Sequence, residues 1–151
     1  MKKILFVCSA NITRSFMAER IFMEQLRKAG RNDIEASSAG LLDMKGSPGD
    51  IIAAELLQKH GIPSAGHNSR PLSSDLVREA DMIVVMEAVH KTAVLNQYPD
   101  AAGKIFLLKS FSGNLNRPDQ DIHDCHKRSS YHYRLCFSEI FLAIEGLIKC
   151  I

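Results

Sequence analysis

Ile4-Leu5-Phe6-Val7-Cys8-Ser9-Ala10-Asn11-Ile12-Thr13-Arg14-Ser15 is the stretch that decides the fold. Residues 2–7 read as the first strand, two lysines followed by the apolar run Ile4–Val7, as a strand buried on both faces requires. From Ser15 to about Ala29, Phe16, Ala18, Ile21, Phe22 and Leu26 recur at helical spacing. Gly30 closes that helix. Cys8 and Arg14 therefore bracket a tight turn between a strand and a helix N-terminus. Such an end offers free backbone N–H groups and the positive end of the peptide dipoles, so it suits an anion. The same field lowers a thiol pKa and makes a nucleophile. Arg14 can add a bidentate fork to an oxyanion. Ser15 is placed to hydrogen-bond the Cys8 thiolate, and Asn11 tolerates the left-handed conformation a mid-loop turn needs. The competing reading is a buried structural cysteine with Arg14 in a surface ion pair. A strand before, a helix after and a serine beside the arginine weigh against it.

Working outward, Ile34–Ser38 alternates weakly as a second strand ending at Ala39-Gly40. A helix spans Asp50 to His60, stopped by Gly61 and Pro63. His67–Pro71 is an irregular connector, and Ser73 or Ser74 caps a short helix with Asp75 in its first turn. Ala80–Met86 is a third, buried strand, Ala88–Gln97 a helix and Lys104–Leu108 a fourth strand. Residues 109–128 read as a long polar loop. The last helix spans Ser129 to Lys149, with Tyr133, Cys136, Phe137, Ile140, Phe141, Ile144 and Leu147 on its apolar face. Strands alternating with helices imply an α/β layered fold with a parallel sheet. Ligands sit beyond the carboxyl ends of such strands, where the Cys8 loop lies.

The 151 residues favour one domain, 1–151, with an adequate core. Hydrophobic residues at 46% and charged residues at 24% exclude a disordered or fibrous chain. A net charge of +2 gives no case for nucleic acid. The N-terminal apolar run is too short for a signal peptide, and no segment approaches the roughly 20 apolar residues of a membrane span. The four cysteines, at 8, 125, 136 and 150, lack paired spacing, so free thiols in a reducing cytoplasm are expected. His123-Asp124-Cys125-His126 invites a zinc reading. No second ligand cluster with zinc spacing accompanies it, so a solvated loop is preferred.

Val7 to Glu19, read as Val-Cys-x-x-Asn-Ile-x-Arg-Ser-x-Met-Ala-Glu, resembles the phosphate loop of low-molecular-weight protein tyrosine phosphatases. The resemblance continues through Ser38-Ala39-Gly40, His60-Gly61-Ile62, His67, Ser69-Arg70, Ala80-Asp81, Met86 and Tyr133-Arg134, and so covers essentially the whole chain. It implies a three-layer α/β/α fold with a four-stranded parallel sheet, order 2-1-3-4, and the phosphate loop after strand 1. It implies neither metal nor cofactor. Cys8 becomes the nucleophile of a cysteinyl-phosphate intermediate and Arg14 the phosphate binder. Ser9, Ala10, Asn11, Ile12, Thr13 and Ser15 become the substrate-binding loop, and Ser38 and His67 its supports. The implied partners are a phosphotyrosine protein or peptide and phosphate or another oxyanion, with neither nucleic acid nor membrane, and the working unit is a monomer.

The family's general acid is a late-loop Asp, and register with Tyr133-Arg134 puts it at Asp124, with Asp119 and Asp121 as rivals. Such a carboxyl protonates the leaving phenolate oxygen and then deprotonates the hydrolytic water. Several positions depart from the pattern. Thr13 replaces a cysteine that in many members protects the nucleophile, leaving Cys125 as the only other cysteine expected near Cys8. Phe16 replaces a proline. Cys125-His126 stands where many members have Pro and an aromatic, so His126 or Tyr131 is a candidate wall for the substrate, with Leu41, Leu42 and Met44 opposite. Arsenate reduction needs two relay cysteines, which the region around Met86 lacks. Arginine phosphatases carry Thr where Ile12 stands. A non-catalytic phosphate-binding module would be marked by loss of Cys8, Arg14 or every candidate acid, and all are present.

Overall fold

β1 (Lys2–Cys8) is an inner strand of a four-stranded parallel sheet in a computed structural model that describes residues 1–113 and 118–151. The sheet order is β2 (Ile34–Gly40), β1, β3 (Met82–Val85), β4 (Ile105–Leu107). β1 runs in register with β2 from Lys2↔Ile34 to Cys8↔Gly40, and with β3 from Ile4↔Met82 to Val7↔Val85. The expected order 2-1-3-4 is the observed one.

Strand alternation divides the core in two. Ile4, Phe6 and Cys8 face a cluster with Phe16, Ile21, Phe22, Leu57, Ile140 and Ile144. These residues belong to α1 (Arg14–Lys28), α2 (Ile51–Lys59) and α5 (Ser130–Cys150). Leu5 and Val7 face the opposite cluster, with Val77, Ile83, Val85, Val94 and Ile105. Here α3 (Ser74–Glu79) and α4 (Ala88–Gln97) cover the sheet. A strand without polar alternation is the signature of burial by helices on both sides.

Asp50 caps α2 by accepting the N–H groups of Ile52 and Ala53, and Ser73 caps α3 by accepting that of Leu76. Of the two serines expected to cap α3, Ser73 therefore does so. Two short 3₁₀ turns depart from the sequence expectation. Pro99–Lys104 precedes β4, and Leu108–Ser112 begins the stretch read as loop, so β4 is shorter than 104–108. The turn Leu108–Ser112 packs on α5, where Gly146 abuts the Phe111 carbonyl with no room for a side chain. On α5, Ala143 is buried whereas Phe141 is only partly so. Residues 114–117 of the expected 109–128 loop lie outside the described residues. Among the described residues, no helix is long and apolar enough to cross a membrane.

Candidate active site

The carboxyl end of β1 delivers Cys8 to the mouth of a loop that closes at the first residue of α1. Asn11 adopts φ 59°, the left-handed turn the loop requires. Its carbonyl accepts His67 Nε2–H at 2.7 Å, and its side-chain Oδ1 accepts the Arg70 N–H at 3.1 Å. Its Nδ2 donates to Ser15 Oγ at 2.8 Å, and Ser15 Oγ lies 3.0 Å from Cys8 Sγ. With the Ser15 oxygen accepting from Asn11, its own proton is free to point at sulfur. A buried polar relay thus runs from the 67–70 connector to the thiol.

Close packing fixes the loop from outside. Leu41 and Leu42 donate their N–H groups to the Cys8 and Ser9 carbonyls at 3.0 and 2.8 Å. A Cβ on Gly40 would fall 2.8 Å from the Ala10 carbonyl carbon, so only glycine lets β2 approach this closely. Phe16 stacks on His67 with ring centroids 4.5 Å apart. The aromatic ring at that position thus braces the supporting histidine. Ser38 is buried in β2, where its backbone carbonyl accepts Arg70 Nε–H at 3.0 Å.

No side chain caps α1, and its first turn contains no acidic residue. The positive helix end is left facing the loop, which suits an anion. Arg14 is 97% buried with its Nη1 held by Glu87 Oε2 and the Ile122 carbonyl, each at 2.7 Å. Its Nε edge faces Asp124, whose Oδ1 is 4.0 Å away. Burial opposes the Arg14 charge, but Glu87, Cys8 and Asp124 outweigh it and leave the guanidinium pKa raised.

Cys8, Ser9, Ala10, Ile12, Thr13, Arg14, Met44, Asp124 and His126 line one cleft of about 90 Å³. Asn11 and Ser15, expected in the substrate-binding loop, have fully buried side chains that do not line this cleft. Among the rival acids, Asp121 accepts the Ala88 N–H and so serves the α4 terminus. Asp119 pairs with His123 at 2.7 Å, which holds the carboxyl below and the imidazole above their ordinary pKa values. Asp124 is the aspartate that lines the cleft.

Of the two candidate walls, His126 lines the cleft; Tyr131 is exposed on the first turn of α5. His126 Nδ1 lies 2.6 Å from Asp50 Oδ2. The same oxygen accepts from Tyr133 Oη at 2.6 Å and Thr13 Oγ1 at 3.1 Å. Thr13 therefore ties the loop to Asp50. All four cysteines are free thiols, with Cys8, Cys125 and Cys136 buried and Cys150 exposed. The buried Cys125 and Cys136 thiols are neighbours whose interaction lowers the Cys125 pKa and raises that of Cys136. The 123–126 run does not converge on a metal, because its side chains turn to different partners. Glu87, Asp121 and His123 place ligand atoms within 4.8 Å of one another, but each is engaged by a neighbour: Arg14, Ala88 or Asp119.

Glu87 and His90 were not legible as site residues. His90 Nε2 lies 3.0 Å from Ser9 Oγ, and His90 is only 2% exposed. A signal was present: Glu-x-x-His at the start of a helix that follows a buried strand has capping-box spacing.

A left-handed turn, an uncapped helix end, an arginine fork and a thiol in one loop define the class of cysteine-bearing oxyanion sites on parallel α/β sheets. The chain belongs to the low molecular weight phosphotyrosine protein phosphatase family, whose model matches residues 3–151. It is 34% identical, over 99% of this chain and 91% of the relative, to the probable low molecular weight protein-tyrosine-phosphatase AmsI of Erwinia amylovora. It is also 32% identical to a protein-arginine-phosphatase of Geobacillus stearothermophilus, over 97% of this chain and 94% of that one. The solved structure of a low molecular weight protein tyrosine phosphatase from T. tengcongensis superposes with a TM-score of 0.91 at 33% identity, each chain fully covered.

Proposed function

We propose that the protein hydrolyses phosphotyrosine monoesters on proteins or peptides, with Cys8, Arg14 and Asp124 as its catalytic residues. The observation that carries this is the 3.0 Å contact between Cys8 Sγ and Ser15 Oγ inside a loop that Asp124 faces. A serine proton aimed at sulfur stabilises the thiolate, which is the reactive form. The Cys8 thiolate attacks phosphorus and the bond to the phenolic oxygen breaks. Asp124, initially protonated, gives its proton to that oxygen. The resulting cysteinyl phosphate is held by the loop N–H groups and the Nε edge of Arg14. Asp124, now a carboxylate, takes a proton from water as it attacks phosphorus. Inorganic phosphate leaves and the thiolate is restored. Met44 and His126 flank the ring of the leaving group. The working unit is residues 1–151 as one domain and a monomer, in a cytoplasm that keeps Cys8 reduced.

Phosphoarginine is the second reading, favoured by the similarity to the arginine phosphatase. Its phosphorus–nitrogen bond is open to the same thiolate. Ile12, which lines the cleft with an apolar side chain, favours the aromatic ester.

The test is turnover of phosphotyrosine, phosphoserine and phosphoarginine peptides by the wild type, with p-nitrophenyl phosphate for the variants. Phosphotyrosine should be the preferred substrate; preference for phosphoarginine selects the second reading. Cys8→Ser should abolish turnover, and retained activity rules out this nucleophile. Asp124→Asn should slow it strongly and Asp121→Asn should not. The reverse pattern moves the acid to Asp121.

A further inference from the structure

The first turn of α4 reaches the phosphate loop with two side chains that perform no step of the reaction above. Glu87 is the N-cap of α4 and His90 its third residue, and they form a reciprocal capping box. The Glu87 N–H donates to His90 Nδ1 at 3.1 Å. An Nδ1 that accepts carries no proton, so the imidazole proton sits on Nε2. Nε2–H therefore donates to Ser9 Oγ at 3.0 Å. A cationic ring would set an Nδ1–H against the Glu87 N–H and break the cap. Burial, followed by the Arg14 charge, holds the His90 pKa below the ordinary imidazole value, against the opposing pull of Glu87, Asp121 and Asp124. The ring is thus kept in the one tautomer that satisfies both neighbours.

The partners of this turn lie at opposite ends of the loop. His90 reaches Ser9, the residue after Cys8. Glu87 holds Arg14 by Nη1, on the side away from Asp124. The planar guanidinium presents donors in a fixed fork, so fixing Nη1 also fixes the direction of the Nε edge. A helix end rooted in the adjacent strand β3 therefore spans the whole anion-binding arc.

We propose that His90 is a positioning residue for phosphate binding: by holding Ser9 while Glu87 holds Arg14, it sets the width of the arc between residues 8 and 14. This rests on the reading of that loop as a phosphate site, but not on turnover. Among the described residues, His90 supplies the hydrogen bond from α4 to Ser9.

The test uses His90→Leu, which fills the space without a donor or acceptor, and His90→Gln, which can accept from Glu87 N–H and donate to Ser9. Inorganic phosphate affinity is read by calorimetry, and KM and kcat with p-nitrophenyl phosphate. The loss of one hydrogen bond predicts that His90→Leu raises the phosphate Kd and KM together, roughly three- to tenfold. kcat should move less than KM, and His90→Gln should recover most of the loss. Ser9→Ala, which removes the same bond from the loop side, should match His90→Leu, and the two should not add in the double variant. An unchanged phosphate Kd in folded His90→Leu overturns the proposal, as does His90→Gln failing equally. If His90→Leu does not fold, Ser9→Ala decides, and a wild-type Kd there is fatal. Should wild type bind phosphate with this dependence on residue 90 and yet hydrolyse no monoester, the positioning role stands and the phosphatase reading falls.

Discussion

At the scale of single residues, Ser15 does more for the site than its burial suggests. Its hydroxyl is the last link of a relay from Arg70 N–H through Asn11 to Cys8 Sγ. A hydrogen bond to a charged group is worth about 1.5–3 kcal/mol. If the bond is expressed fully in the reacting thiolate, Ser15→Ala should lower kcat roughly 10- to 100-fold. Steady-state kinetics with p-nitrophenyl phosphate measure it, and a kcat within about twofold of wild type would show that the sulfur needs no donor. Residue chemistry was also where the sequence was most informative. The strand–Cys–turn–Arg–Ser order identified the loop, and the left-handed Asn11 was expected from its side chain alone. What the order did not contain was depth. Asn11 and Ser15 were counted with Ser9 and Ile12, yet their side chains are turned into the interior, because spacing does not separate the inner from the outer face of a loop and the helix turn that follows it.

At the scale of elements, Asp50 links α2 to α5 and to the loop of Asp124. Burial alone raises its pKa. The hydrogen bonds from Tyr133, His126, Ala53 and Thr13 more than offset this and leave it below the ordinary carboxylate value. A carboxyl with a depressed folded pKa contributes stability that is complete above its unfolded pKa of about 3.9. That contribution is lost as pH falls through the folded value. Asp50→Asn should therefore lower Tm at neutral pH and flatten its acid-side decline below about pH 4. Thermal melts from neutral to acid pH test this; wild-type and variant curves that stay parallel would falsify it. Helix positions were legible because 3.6-residue periodicity and caps are local. The short 3₁₀ turns were not, since Pro99–Lys104 has no apolar period and Leu108–Ser112 owes its shape to contact with α5. The aspartate run at 119, 121 and 124 could be ordered by family register alone; its physical sorting depends on which helix end or histidine each carboxyl meets.

At the scale of the whole molecule, α5 and the turn after β4 are pressed together at Gly146. Alanine is ordinarily favoured over glycine within a helix by up to about 1 kcal/mol. Here its methyl group would collide with the Phe111 carbonyl, and backbone cannot step aside as a side chain can. Overpacking typically costs about 1–3 kcal/mol, so the collision should win. Gly146→Ala should lower Tm by roughly 2–10 °C. A higher Tm would show that helix propensity prevails. Long-range adjacency of this kind is invisible to periodicity, because residue 146 and residue 111 meet only once the sheet has set the spacing of its helices. The Asp50 carboxylate carries a different consequence. One oxygen serves the cleft-lining His126, the phosphate-loop Thr13 and the α5 Tyr133. On the proposed role of His126 as a wall of the substrate slot, substrate preference in this chain is not a freely exchangeable trait. Installing an aromatic residue at 126 also strips a partner from Asp50, so its effect should depend on the residues present at 13 and 133. Evolution or engineering that retunes the ring slot has to move through these positions as an epistatic set.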